Sequence, residues 1–394
     1  MTSDPPLRGV TVVSLEQAVA APFATRQLAD LGARVIKIER PGGGDFARGY
    51  DETVHGNSSY FVWLNRSKES LTLDVKSAEG RAILRELLDR ADVFVQNLGP
   101  GAAARLGTDP AALAAAHPRL ISCTVSGWGT DGPWAGRKAY DLLVQGETGL
   151  VALTGTPEQA AKAGISVADI AAGMYAYSGV LTALLRRALT GEVAAVEVSL
   201  FEALAEWMGA PANYTAYGGR QPARTGAEHA TIAPYGPFRT ADGEVLLAVQ
   251  NEREWLSLCT HLLGSAELAA DPRFAAGSAR AAHRAEVNAL VGTRLAGLAT
   301  GTAMDLLDRA GIAVARISQL PDFLAHPVLA ARDRWRTVAV PGGEVAALRP
   351  PADLAGVEPV MGAVPAAGEH TDAILRELGR CDAAIAALRD RAVV

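Results

Sequence analysis

Asp169 is the residue of this 394-residue chain best placed to do chemistry. It lies in Gly164-Ile165-Ser166-Val167-Ala168-Asp169-Ile170-Ala171-Ala172-Gly173, where small residues lead into a long apolar stretch. The pattern predicts a helix from Ser166 to about Thr190, stopped by Gly191, with Asp169 in its first turn. A helix N-terminus favours negative charge, so the carboxylate is expected to stay ionised and to be available as a weak nucleophile. On local sequence alone the same position better suits an Asp that only caps the helix. Local sequence leaves both roles open.

Three further groups follow strand-like runs, where open α/β sheets bind ligands. Gln17 stands among Ala18, Ala20 and Ala21, small residues that admit a close approach to the backbone, and its amide suits an oxyanion or a nucleophile. Asn97, Gly99, Gly101 and Arg105 form a second set, in which turn amides and a guanidinium suit a phosphate. Lys138, Tyr140 and Asp141 follow the loop Gly127-Trp128-Gly129-Thr130-Asp131-Gly132-Pro133. Each also reads as an ordinary loop residue.

Several chemistries are absent from the sequence. The histidines show no zinc-ligand spacing, and Cys123, Cys259 and Cys381 are scattered, as in a reduced protein. No Walker A or G-x-S-x-G motif occurs. The one dinucleotide-like run, Gly99-Pro100-Gly101-Ala102-Ala103-Ala104, follows the wrong strand, and Pro100 removes an amide from it. A net charge of −6 with no basic run argues against nucleic acid. Apolar stretches read as shorter than a membrane span or broken by Gly and charge, and Met1 to Arg8 lacks a leader pattern. The expectation is a soluble cytoplasmic protein without a membrane partner.

The elements that must position these residues alternate. β-branched runs at 10–15, 34–38, 71–75, 92–96, 120–126 and 193–198 predict strands. Between them come helices at 22–31, 77–90 and 166–190, then one at 200–208. Such alternation implies a parallel sheet with helices on both faces. Residues 211–237, rich in Gly, Pro, Tyr and Thr, read as linker and loop. Ala241-Asp242-Gly243 between 238–240 and 244–249 predicts a hairpin, followed by helices near 252–263, 280–298 and 302–310 and a strand at 313–317. The expected division is a large α/β domain over 1–210, a linker at 211–224, and a small α+β domain at 225–330. Segment 331–394 then returns to the large domain.

Taken in order, these pieces resemble the family III CoA-transferases, the CaiB–BaiF family that includes formyl-CoA transferases and α-methylacyl-CoA racemases. The matching stretches include Gln17-Ala18-Val19-Ala20-Ala21-Pro22, Leu28 to Pro41, Gly44-Asp45, Tyr60-Phe61, Asn65-Arg66-Ser67-Lys68, and Leu73-Asp74. They continue through Asn97 to Gly101, Arg105-Leu106-Gly107, Ser126 to Gly129, Tyr140-Asp141, Thr154-Gly155, Asp169-Ile170 and Gly368-Glu369-His370-Thr371. The resemblance implies a Rossmann-like large domain plus a smaller α+β domain in an interlocked homodimer, with the active site between subunits. It implies that CoA moves from an acyl-CoA donor to a carboxylic acid acceptor. The CoA thioester is a substrate, and no cofactor is permanently bound. Asp169 would be the nucleophile and Gln17 would face the reacting carboxylate. Ala18, Leu73, Asn97, Leu98, Arg105, Lys138 and Tyr140 would line the CoA site, with Arg40 near the nucleotide end. Racemases of the family carry His where this chain has Tyr140, and Tyr is a poor base near neutrality. Transferase is therefore the leading expectation, ahead of a racemase-like isomerase and a non-catalytic CoA-binding protein. The chain looks most like members acting on small dicarboxylates, for which Arg48, Arg66, Arg224 and His229 are candidate anchors.

Overall fold

The computed structural model describes residues 4–394. Its first half alternates as β1 (Thr11–Leu15), α1 (Ala20–Asp30), β2 (Arg34–Glu39), α2 (Ser59–Leu64), β3 (Lys68–Thr72) and α3 (Ala78–Leu88). Then follow β4 (Val93–Gln96), α4 (Ala102–Leu106), α5 (Pro110–Ala116), β5 (Ile121–Ser126), α6 (Asp141–Glu147) and α7 (Leu150–Leu153). The long helix α8 (Val167–Thr190), β6 (Val196–Ser199) and α9 (Leu200–Trp207) complete this part.

All six strands pair in parallel in the order β3-β2-β1-β4-β5-β6. Strand order reverses between β1 and β4, which opens a crevice beyond their carboxyl ends. Val12, Val13, Val35, Val93, Phe94 and Val95 are fully buried or nearly so, as expected of strands covered on both faces. Two C-terminal helices, Thr371–Glu377 and Asp382–Asp390, place Ile374, Leu375, Ile385 and Leu388 in the same core as Ile36, Leu71 and Leu84.

The chain divides into two compact units. One comprises residues 4–149, 163–210 and 329–394, and the other 150–162 and 211–328. The boundaries differ from the expected ones. Residues 150–162 belong to the smaller unit, and 211–224 is not a free linker, because Gly209–Gly218 is helical (α10). That helix buries no side chain, so it carries no apolar periodicity for a sequence reading to detect. The smaller unit holds an antiparallel sheet of Tyr235–Arg239 (β7), Glu244–Ala248 (β8) and Ala313–Arg316 (β9). Its own core includes Phe238, Trp255, Leu258, Phe274, Val287 and Leu307.

Two local expectations also shift. The third strand starts at Lys68 rather than Leu71, because its polar residues are buried in pairs: Lys68 on Glu16 and Ser70 on Glu39. Helix α8 is long and apolar enough to cross a membrane by length and composition, contrary to the reading of short, broken apolar runs. Here Ala168, Ala171, Ala172, Gly173, Ala176 and Val180 form a face buried in the large unit.

Candidate active site

The turn after β1 is clamped from below. The Asn97 side chain accepts from the Gln17 amide at 2.8 Å and donates to the Gln17 carbonyl at 2.8 Å, pairing with it as a second strand would. Ala18 takes a left-handed conformation, φ 61°, which is costly for a residue with a Cβ. Its amide donates to Asp45 Oδ1 at 3.1 Å. Lys37 Nζ donates to Asp45 Oδ2 at 2.8 Å, and Lys68 Nζ to Glu16 Oε1 at 2.7 Å. All four of these charged side chains are buried. Burial alone would raise the Glu16 pKa, but Lys68 and Lys37 hold it below its ordinary value. Burial drives Lys68 down to about 8 in spite of Glu16. A network of this kind fixes backbone geometry, since no member is left without a partner.

Above this turn lies a cavity of about 540 Å³, lined by residues from the carboxyl ends of β1 and β2 and from the segments following β3 and β4. Gln17, Arg40, Leu73, Leu98 and Arg105 all line it, so four separate segments of sequence converge there. Lys76 and Arg81 line it too; sequence reading missed both, because cations at the start of a helix look like solvated surface. None of Arg40, Lys76, Arg81 and Arg105 is ion-paired among the described residues. The acids that line the same cavity are committed elsewhere: Glu16 and Asp45 to lysines, Glu39 to Arg48. The rim is therefore electropositive and suited to phosphate groups.

Asp169 occupies the third position of α8, the place from which an acid commonly reaches back to cap its helix. Its carboxylate makes no hydrogen bond among the described residues. Asp141, from α6, does the capping: its Oδ1 accepts from the amides of Ala168 at 2.7 Å and Asp169 at 3.3 Å. Burial, and secondly the Asp141 charge, push the Asp169 carboxyl up to about 7. This corrects the expectation of a carboxylate kept ionised by the helix end. Tyr50 faces Asp45, Asp169, Tyr140 and Tyr60, and burial together with these neighbours pushes its phenol up to about 12. Its ring meets those of Phe46 and Tyr60 at 5.8 and 5.6 Å.

Comparison with known proteins places this geometry in a family. Residues 7–371 match the family described as CoA-transferase family III. The chain belongs to CoA-transferase family III. It is 34% identical to the succinate–glutarate CoA-transferase of Agrobacterium fabrum, over 83% of this chain and 84% of that protein. It is also 34% identical to the acetyl-CoA:oxalate CoA-transferase of Acetobacter aceti, over 86% of this chain and 88% of the relative. A crystal structure of a CaiB/BaiF family protein from Brucella suis superposes with a TM-score of 0.83 at 34% identity, covering 95% of this chain and all of that one.

The remaining family III candidates fall outside the cavity. Lys138 is exposed, and among the described residues its backbone carbonyl accepts from the Trp128 indole at 3.3 Å. Tyr140 is exposed and precedes the capping Asp141. Ala18 and Asn97 shape the turn beneath the cavity rather than its wall. The proposed dicarboxylate anchors are engaged by other groups. Arg48 is bidentate on Glu39 at 2.7 and 2.8 Å, and Arg66 is bidentate on Asp30 at 2.7 and 2.8 Å. In the smaller unit, Arg224 donates to the carbonyls of Thr156 and Pro157, and His229 Nδ1 accepts from the Thr231 amide. No group of three His, Cys, Asp or Glu side chains among the described residues could hold a metal ion.

Proposed function

We propose that this protein transfers CoA from an acyl-CoA thioester to a carboxylic acid, with Asp169 as covalent carrier. The observation that carries the reading is the Asp169 carboxylate itself: half-buried, without a hydrogen bond among the described residues, and poised near neutrality. A carboxylate freed of partners is more basic and more nucleophilic than one solvated or salt-bridged. Asp169 attacks the thioester carbonyl; the C–S bond breaks and CoA leaves as the thiolate. The thiolate then attacks the aspartyl carbonyl of the mixed anhydride, expelling the donor acid. An acceptor carboxylate attacks the resulting aspartyl-CoA thioester and releases the thiolate again. Its return to the acceptor carbonyl regenerates Asp169. Each intermediate is an activated acyl group.

The CoA moiety is read as lying in the cavity, its phosphates toward Arg40, Lys76, Arg81 and Arg105 and its apolar portions against Leu73 and Leu98. The acceptor is read as a small dicarboxylic acid, supported by the succinate, glutarate and oxalate in the relatives' names. We also propose a homodimer with interlocked chains. Met174, Tyr175, Leu185, Leu189 and Trp207 are exposed on α8 and α9, an apolar surface that suits an interface between copies. Sedimentation at micromolar concentration is expected to give the mass of two chains.

The covalent reading is tested by incubating the protein with succinyl-CoA or acetyl-CoA, quenching in acid, digesting, and weighing the peptide that carries Asp169. The expected result is a CoA adduct cleared by hydroxylamine and missing from Asp169→Ala. Exchange of the substrate α-proton with deuterium, and no adduct, would replace this reading with the racemase one.

A further inference from the structure

We propose that Asp141 is a positioning residue for Asp169: it caps α8 from outside, so that the carboxylate of Asp169 stays out of the helix's own hydrogen bonding and remains free to attack. The inference rests on the reading of Asp169 as nucleophile. Ser166 precedes the first turn of α8 and its side chain makes no capping bond, although serine is among the best residues for that task. The amides at the second and third helical positions, Ala168 and Asp169, still need an acceptor. The nearest in sequence is Asp169, whose short side chain at the third position can fold back on its own first turn. Asp141 removes that incentive by taking both amides with one oxygen, at 2.7 and 3.3 Å.

The cap is itself held. Asp141 Oδ2 accepts from Gln145 Nε2 at 2.6 Å, one turn along α6. Gln145 is fully buried, and its other amide atom, Oε1, accepts from the Ala163 amide at 2.9 Å. One carboxylate and one carboxamide thus tie the start of α6 to both ends of the segment 163–169 that delivers the nucleophile. Two described groups act electrostatically on Asp169: Asp141 from α6, and Tyr50 from the turn after β2, a neutral phenol. Helix α1 meets this end of α8 with the uncharged Ala20 and Phe23. Asp141 is therefore the charged neighbour, and it opposes ionisation of Asp169 while it frees its oxygens.

The test compares wild type with Asp141→Asn, Asp141→Ala and Gln145→Ala, measuring kcat, KM for the acyl-CoA, and the acid limb of the kcat profile between about pH 5.5 and 9. Asn keeps an oxygen for the two amides and loses the charge. It is expected to move the acid limb down by about one pH unit. Ala loses both, and Asp169 folds back as its own cap; kcat should fall by about 10- to 100-fold with KM within about 3-fold of wild type. Gln145→Ala should give the same kcat-selective loss in milder form. A purely structural cap would lower the melting temperature of these variants and leave the acid limb and the kcat-to-KM split where they were, which would overturn the proposal. If Asp141→Ala fails to fold, a wild-type kcat in Gln145→Ala overturns it alone. Failure of the underlying reading looks different: Asp169→Asn would turn over normally, and wild type would form no adduct.

Discussion

A carboxyl group held near pH 7 inside a fold has a thermodynamic signature that its chemistry alone does not. The Asp169 carboxyl ionises near 3.8 when free and near 7 in the folded chain. Its folded pKa is raised, so this group favours the folded state fully below about pH 4, and that contribution is lost as pH rises through 7. The full span is worth at most about 4 kcal/mol. Asp169→Asn should therefore melt at a higher temperature than wild type at pH 8, with the gap closing toward pH 4, while adduct formation is lost. A less stable Asn variant at pH 8 would mean that the helix end stabilises the charge more than burial penalises it. Arg48 makes the contrary case. Burial would raise the Glu39 carboxyl, but Arg48 and Lys37 hold it down to about 2, and Arg48 also lies 3.7 Å over the Phe61 ring. Arg48→Ala leaves Glu39 buried with one partner fewer, and should cost about 3–5 kcal/mol of stability. Thermal melts should show the loss, and the ratio of kcat/KM values for different acceptor acids should not move.

At the scale of elements, the site depends on how closely α8 approaches α1. A Cβ at Gly173 would stand 2.6 Å from the Ala20 carbonyl oxygen and 3.0 Å from Phe23, so only glycine allows this crossing. Asp169 lies one turn earlier on the same face of α8. Gly173→Ala should push the helices apart at a cost of about 1–3 kcal/mol, and lower kcat more than Asp141→Asn does. Far-ultraviolet dichroism would check that the fold survives; an unchanged kcat would show that the site tolerates the separation. The same scale explains what the sequence could reveal. Buried parallel strands such as Val10 to Leu15 and Asp92 to Gln96 are written in β-branched residues, so the alternating core was legible. The frame of β3 was not, because Lys68 and Ser70 look like loop residues until Glu16 and Glu39 are seen beside them. Asp169 was legible as an acid in a first turn, and the family resemblance singled it out. Its release from capping was not, since the partner lies 28 residues away in sequence.

Over the whole molecule, net charge and local charge point in opposite directions. The chain carries −6, yet the cavity over β1 and β4 is rimmed by Arg40, Lys76, Arg81 and Arg105, none of them ion-paired among the described residues. On the proposed reading, a polyanionic thioester would meet repulsion from the molecule at large and attraction at one mouth, an arrangement that would guide it there. Such attraction is screened over about 10 Å at 0.1 M salt, so it should weaken as salt rises. Between about 20 and 300 mM salt, KM for the acyl-CoA should rise several-fold while kcat changes little, because Asp169 and its neighbours are partly shielded from solvent ions. Removing one rim cation separates this account from a general salt effect. Lys76→Ala and Arg81→Ala should each raise KM about 3- to 10-fold at low salt and flatten its salt dependence, with the same adduct on Asp169 at saturating thioester. If both variants keep the wild-type KM and its slope, the phosphates lie elsewhere, and the electropositive rim serves some other anion.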